Sequence, residues 1–339
     1  MDQSKTQSLP TIWDDFPRVK ADLQEVLVAI NESWQIGFTD IDHAIRSQLN
    51  AGKLVRPALT IIFSRLAKGN DAESHDSMIK LAASVELLHL ATLIHDDVID
   101  ESKLRRGTSS IQAAFGKDTA VYAGDYLLTG MFSLITQADR PKLSSDVITA
   151  LQAILYGELA QKQERYVIDD DFNGYLKRIK GKTGALFQLA AKFGIASGHE
   201  AVDEGLATTV DRFAGILGVT FQLLDDYLDF ESISQEVQLG KPVGQDIRNG
   251  IYTAPVMFAL EQPGYSPQIR SYLEKRDEIS NDDMQKLHAL IIEAGGMQSL
   301  SDLLADYQQQ LNDLLNQLPS KELQDDLQQL AKLLMNRQN

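Results

Sequence analysis

Three observations predict an all-α fold. Apolar residues recur at helical spacing along most of the chain, no series of alternating apolar and polar residues marks strands, and no Asn-Gly turn joins two strand-like runs. Taken in order, the pattern predicts helices over about 22–50, 55–67, 77–101, 120–136, 144–167, 174–197, 201–231 and 253–261, with three more towards the C-terminus. Loops are predicted at 101–116, 232–250 and 262–281, the first two directly after clusters of aspartate. The C-terminal part sets Leu303, Leu304, Leu311, Leu314, Leu315 and Leu318 at helical spacing among Gln and Asp, which makes it an amphipathic packing segment. The chain has 339 residues and no linker-like stretch, so a single large domain is expected.

Composition narrows the function. A formal net charge of -16 excludes a surface for nucleic acid or anionic membrane, which needs cationic potential, so any phosphate must be met locally. Cysteine is absent, which excludes disulfides and thiolate metal sites and suits a reducing cytoplasm. The N-terminal stretch 1–17 lacks the basic start and apolar run of a signal peptide, so a cytoplasmic protein is expected. The most apolar run, 81–94, is interrupted by Glu86 and His89 and falls short of the roughly 20 residues of a membrane span. It reads as a buried core helix, and no transmembrane segment is expected.

The chemistry lies in two aspartate triplets. Asp96, Asp97 and Asp100 end a long apolar helix, and the i, i+4 spacing places Asp96 and Asp100 on one face. Close carboxylates repel by on the order of several kcal/mol at an effective dielectric near 20, so the cluster calls for a hard divalent cation such as Mg²⁺. One such triplet reads equally well as a solvated acidic helix end. Asp225, Asp226 and Asp229 repeat the spacing inside a second apolar helix with Phe221, Leu224 and Leu228, and two acidic clusters in apolar helices are hard to explain structurally. Basic residues stand beside both: Lys53 and Arg56 in a turn opening a helix, Arg105 and Arg106 after the first triplet, Lys182 and Thr183 after a glycine, and Lys241 after the second triplet. Each alone is an ordinary surface charge. Their shared placement is what points to diphosphate.

At these motifs the sequence resembles the trans-type polyprenyl diphosphate synthases. The resemblance runs from about 50 to 260 and rests on GKLVRP at 52–57, HDDVIDESKLRRG at 95–107, AVYAGDYLL at 120–128, GKTGALF at 181–187, FQLLDDYLD at 221–229 and GKPVGQDIRNGIYTAPV at 240–256. It implies one isoprenoid synthase domain of mostly antiparallel helices around a deep central cavity, with further helices at about 280–339, and a homodimer or, alternatively, a heterodimer with a small regulatory subunit. Carried onto this chain, it implies that Asp96, Asp100 and Asp225 ligate three Mg²⁺ ions, that Asp97 and Asp229 support them through direct or indirect contacts, with Asp229 counted in the metal set, and that Asp226 and Lys182 belong to the catalytic group. Arg105, Lys182, Thr183, Gln222 and Lys241 match positions that hold an allylic diphosphate. Lys53, Arg56, His89 and Arg106 match a metal-free cradle for isopentenyl diphosphate.

The implied reaction ionises the allylic diphosphate, adds isopentenyl diphosphate to the cation and loses a proton, with aspartates as metal ligands. Product length is expected to follow the residues beneath the first triplet. Leu88, Ala91 and Thr92 there lack the aromatic side chains that block the tunnel, and Phe132, two turns beyond Asp125, is expected as a floor. A medium or long all-trans product for a quinone side chain follows, with a short-chain farnesyl or geranylgeranyl diphosphate synthase as the alternative. A class I terpene cyclase leaves Lys53, Arg56, His89 and Arg106 without a role. A His-Asp phosphohydrolase needs more histidine ligands than the other five, His43, His75, His89, His199 and His288, provide as a set. A regulatory subunit with lost chemistry does not need intact triplets.

Overall fold

The computed structural model describes residues 9–68, 71–168, 172–238 and 244–335. Its helices in chain order are α1 (Pro17–Ser33), α2 (Thr39–Asn50), α3 (Val55–Ser64), α4 (Ala72–Ile99), α5 (Ile111–Phe115), α6 (Lys117–Gln137), α7 (Leu143–Gln163) and α8 (Phe172–Ile179). A π-helical turn (Lys180–Gly184) follows, then α9 (Ala185–Ala196), α10 (Glu204–Gln238), α11 (Gln245–Arg248), α12 (Ala254–Leu260), α13 (Ser266–Leu273), α14 (Asn281–Glu293), α15 (Gly296–Leu315) and α16 (Lys321–Met335). The all-α expectation holds. Among the described residues the sheet content is one antiparallel hairpin, β1 (Leu104–Arg105) with β2 (Thr108–Ser109), and one isolated bridge between Lys68 and Glu200.

Contacts gather the chain into two compact units. The first comprises Met1–Ile148, Leu186–Asp211 and Ser320–Leu327; the second comprises Thr149–Ala185, Arg212–Pro319 and Gln328–Asn339. In the first, α1, α3 and α6 pack on α4. A helix covered on several sides must be apolar around its circumference. Leu81, Val85, Leu87, Leu88, Ala91 and Ile94 of α4 are accordingly all buried. With 28 residues, α4 outgrows the apolar run seen in the sequence and is long and apolar enough to cross a membrane. Yet 78% of its most apolar window is buried by protein, as in a core helix. In the second unit, α12 packs on α8, α13, α14 and α15. Phe230, Val256, Ile269, Leu287 and Ile291 form a core there.

The helix expected over 22–50 is broken into α1 and α2. Trp34 leaves the helix in extended conformation and is buried, and Gly37 takes φ +89°, a conformation glycine adopts without steric cost. The Asp42 carboxylate accepts hydrogen bonds from the backbone N–H groups of Ile36 (3.1 Å) and Gly37 (3.2 Å), fixing the break. The expected loop at 101–116 contains the hairpin, whose turn residues Arg106 and Gly107 have φ of 51° and 79°, and the short α5. At 232 the expected loop is instead helix as far as Gln238. The expected loop at 262–281 contains α13, where Pro267 sits in the first turn and Ile269 and Leu273 are buried.

Replacing Asp42 by Ala is expected to cost about 1 kcal/mol in denaturant titrations, with Asp42→Asn costing less. An unchanged midpoint for Asp42→Ala would show that this carboxylate does not hold the α1–α2 break.

Candidate active site

In the first unit the triplet sits at the C-terminal end of α4, and Asp100 is the capping residue, its N–H bonded to the Asp96 carbonyl at 2.8 Å. A helix C-terminus carries partial negative charge, so carboxylates there are doubly unfavourable without a cation. The three are not equivalent. Asp100 is exposed and Asp96 partly so, whereas Asp97 is turned inward at 1% exposure. Oδ1 of Asp97 accepts from Arg105 Nε (3.0 Å) and Nη2 (2.5 Å), and its buried Oδ2 has no hydrogen-bond partner among the described residues. Arg105, expected on the allylic diphosphate, is thus tied to the triplet's inner member. His95 Nε2 lies 3.3 Å from Asp125 Oδ1.

The same unit brings together Arg56, His89 and Arg106. Arg56 lies over the Phe187 ring, 5.1 Å from its centroid, and Arg106 Nη1 donates to the Gln48 carbonyl at 2.9 Å. Glu86, buried at 3%, faces both arginines: burial pushes its carboxyl up, and Arg56 and Arg106 oppose that shift. His89 is held well below the usual imidazole range by burial first, then by Arg56, Arg106 and Arg105, so it is neutral near pH 7. Gly52 has no room for a side chain, since a Cβ would stand 2.8 Å from Arg106 Nη1 and 3.3 Å from Glu86 Oε1. Lys53 follows with an exposed side chain, and its carbonyl accepts from the Trp13 indole at 2.9 Å. Leu88 and Ala91 are fully buried and Thr92 partly so, while Phe132 is 47% exposed on α6.

The second unit carries the other triplet within α10. Asp229 is exposed, Asp225 partly buried and Asp226 buried at 6%. Tyr175 of α8 donates to Asp226 Oδ2, Gln222 Nε2 donates to Asp226 Oδ1 at 3.1 Å, and Thr183 Oγ1 donates to Gln222 Oε1 at 2.8 Å. Burial pushes Asp226 up to about 7; the bonds from Tyr175 and Gln222 oppose this, and Asp246 and Asp229 add to it. Lys182 and Thr183 project from the π-helical turn, a geometry often found at functional sites. The turn lies against α7 through paired glycines: a Cβ on Gly157 would meet Lys182 N at 2.9 Å, and one on Gly181 would meet the Ala153 carbonyl at 2.7 Å. Lys182 Nζ pairs with Glu158 of α7 at 3.0 Å. Asp226, Asp229, Ser232, Asp246 and Thr253 line a cavity of about 220 Å³. Lys241 lies outside the described residues.

Sequence reasoning brought out the triplets and most of the basic residues. It missed Glu86, Glu158, Tyr175 and Asp246. Glu86 was visible as the lone acid in an apolar run, and Asp246 within a quoted motif; Tyr175 and Glu158 looked like ordinary helix residues. The carboxylates of both triplets offer oxygen donors, which, with Asp97 Oδ2 buried and without a hydrogen-bond partner among the described residues, fits a hard divalent cation.

The polyprenyl synthetase family model matches residues 39–291. Heptaprenyl diphosphate synthase component 2 of Bacillus subtilis is 31% identical over 84% of this chain and 78% of its own. Octaprenyl diphosphate synthase of Escherichia coli is 33% identical over 74% of this chain and 80% of its own. Among solved structures, geranylgeranyl pyrophosphate synthase from Lactobacillus brevis superposes with a TM-score of 0.89 at 31% identity, covering 96% of this chain and 99% of that one. Polyprenyl synthase from Caulobacter crescentus, complexed with calcium and isoprenyl diphosphate, gives 0.85 at 30% identity and covers 99% of each. The fold is that of a helical isoprenoid synthase. The chain belongs to the polyprenyl synthetase family and is a prenyltransferase.

Asp226 makes a prediction about pH. Its folded pKa of about 7 lies above the unfolded carboxylate value, so the folded state holds the extra proton. The stability of the metal-free protein owed to this group is fully present below about pH 4, is lost as pH rises towards 7 and is flat above, by at most about 4 kcal/mol. The difference in melting profile between wild type and Asp226→Asn, followed from pH 4.5 to 8, is expected to reproduce that slope. Parallel profiles would assign the titration elsewhere.

Proposed function

We propose that this prenyltransferase is Mg²⁺-dependent and condenses isopentenyl diphosphate with an allylic diphosphate, such as farnesyl diphosphate, to give a medium- or long-chain all-trans polyprenyl diphosphate for a quinone side chain. The observation that carries the reading is the separation of two kinds of phosphate-binding equipment. Arg56, Arg106 and neutral His89 cluster around buried Glu86, whereas Thr183, next to Lys182, is bonded through Gln222 to Asp226 of the second aspartate triplet. A substrate whose diphosphate leaves needs metal ligands, and one whose diphosphate stays needs only cations and donors.

In this reading Asp96, Asp100, Asp225 and Asp229 hold the metal ions, three per site as the family resemblance implies. When bound, the metal neutralises charge on the departing diphosphate. Arg105, Lys182 and Lys241 add positive charge to the same group, and the Thr183 and Gln222 side chains orient it. Lys53, Arg56 and Arg106 hold isopentenyl diphosphate, and His89, being neutral, offers one N–H donor without adding charge. In this reading both triplets serve one substrate, and the chain is a single functional domain.

The buried, non-aromatic Leu88 and Ala91 support a long product, as do the names of the heptaprenyl and octaprenyl relatives. The name of the Lactobacillus structure favours the short-chain alternative. Exposed Val121, Tyr122, Tyr126 and Phe132 on α6 support a homodimer, and Phe132 can close a tunnel only where another surface covers it. The name "component 2" on the Bacillus relative supports the alternative of a catalytic subunit that needs a small partner.

The purified chain with farnesyl diphosphate, isopentenyl diphosphate and Mg²⁺ is expected to yield hexaprenyl to nonaprenyl diphosphate by mass spectrometry, and EDTA to abolish the product. Synthesis only after a second subunit is added would replace the homodimer with the heteromeric form. Ala91→Phe is expected to shorten the product, and an unchanged product would reject the tunnel assignment. Gly52→Ala, by displacing Arg106, is expected to raise KM for isopentenyl diphosphate roughly tenfold, the loss of about one charged hydrogen bond, with KM for the allylic substrate unchanged. A rise in both constants together would contradict the separation of the two cradles.

A further inference from the structure

Tyr175 reaches the second triplet from outside α10 and its neighbouring turn without belonging to any motif that the sequence singles out. It is 3% exposed, and its hydroxyl ends on Asp226 Oδ2. Its ring is fixed from several sides. Phe172 stacks on it with centroids 5.6 Å apart, Phe258 packs on Phe172 at 4.7 Å, and the Arg178 guanidinium lies 5.9 Å from the Tyr175 centroid. A ring held in this way has little freedom left to lose when its hydroxyl makes a directed bond.

Among the described residues, the bonding from Asp226 continues through Gln222. Asp226 Oδ1 accepts from Gln222 Nε2, one helical turn earlier on α10, and Gln222 Oε1 accepts from the Thr183 hydroxyl. The amide of Gln222 is thereby oriented at both ends: its nitrogen must face the carboxylate and its oxygen the hydroxyl. Thr183 follows Lys182 in the π-helical turn, and Thr183 and Asp226 are both buried. The chain of bonds Tyr175–Asp226–Gln222–Thr183 therefore ties α8, α10 and the π-helical turn together at a single place. It leaves Asp225 partly exposed and Asp229 exposed on the neighbouring positions of α10.

We propose that Tyr175 is a positioning residue: acting through Asp226 and Gln222, it locks the Lys182–Thr183 turn to the acidic face of α10, so that metal ligands and phosphate donors form one preassembled half-site for the metal-bound diphosphate. The inference rests on the reading of the second triplet given under Proposed function. A buried, fully satisfied hydrogen-bond network holds its members in one geometry, and such preorganisation removes the cost of ordering them when the ligand arrives. Asp226 is the inner hub of the network, while Asp225 and Asp229 face outward to the ligand.

The test uses the full chain and Tyr175→Phe, which removes one oxygen and keeps the ring packing. Binding of Mg²⁺ with inorganic diphosphate, followed by calorimetry, is expected to weaken roughly tenfold, the size of one lost hydrogen bond to a charged group. In steady-state assays KM for the allylic diphosphate and the Mg²⁺ concentration for half-activation are expected to rise by a similar factor, while KM for isopentenyl diphosphate stays within twofold. A purely structural role would lower the melting temperature and leave this split unchanged. In a Gln222→Met background, which cuts the network one bond further along, Tyr175→Phe is expected to have no further effect on diphosphate binding. Equal shifts in both KM values, additive effects in the two backgrounds, or unaltered Mg²⁺–diphosphate binding in Tyr175→Phe would each overturn the proposal. Should Tyr175→Phe fail to fold, hydrogen exchange of the 180–184 amides in ligand-free Gln222→Met decides it: faster exchange than in the wild type supports the network, and unchanged exchange opposes it. Should the wild type make no polyprenyl product, the proposed function fails, while the calorimetric comparison still judges the network.

Discussion

The constraint on which the structure depends is the repulsion among carboxylates carried by helices that are otherwise apolar. Asp96, Asp97 and Asp100 crowd the negative end of α4, and Asp225, Asp226 and Asp229 interrupt the largely apolar α10. Each unit answers the problem in the same way. One inner aspartate is turned into the protein and given donors, Arg105 for Asp97 and Tyr175 with Gln222 for Asp226, while its neighbours remain more open. The inner members are bonded into the protein, and the outer members are those that the proposed function assigns to a cation.

The basic residues follow from the same constraint. A chain with net charge -16 cannot attract phosphates as a whole, so each contact must be built locally. In the first unit this needs a counter-charge, because Arg106 is partly desolvated and the charge of Arg105 acts against it. Glu86 supplies it from the interior of α4, and the missing side chain of Gly52 leaves room for the Arg106 guanidinium. In the second unit Glu158 plays the corresponding part for Lys182, at the place where Gly157 and Gly181 let the π-helical turn approach α7. Acidic residues outside the triplets are thus partners of the basic residues that the proposed function assigns to phosphate.

How much of this could be read from the sequence follows the range of the interactions involved. The long helices α4 and α10 were legible because their apolar residues are dense, and the triplets because one spacing occurs twice. The break at 34–38 was not, since it depends on Asp42 reaching back to two backbone N–H groups. α13 was hidden because Pro267 looks like a helix breaker, whereas in a first turn it is tolerated. Tyr175 and Glu158 gave no signal because a tyrosine or glutamate at helical spacing is ordinary until its partner, far along the chain, is known. The basic turn at 180–184 was legible as a motif, but its π-helical geometry and its close approach to α7 at Gly157 and Gly181 were not.

The central claim is that the chain handles its two diphosphates by different physics, one through metal and one through a cradle of arginines backed by Glu86. Calorimetric titration of the enzyme with isopentenyl diphosphate and, separately, with a non-ionisable allylic diphosphate analogue, each with Mg²⁺ and with EDTA, addresses it directly. The account predicts that isopentenyl diphosphate binds with the same affinity in both conditions and that the analogue binds tightly only with Mg²⁺. An equal metal requirement for both ligands, or for neither, would contradict it.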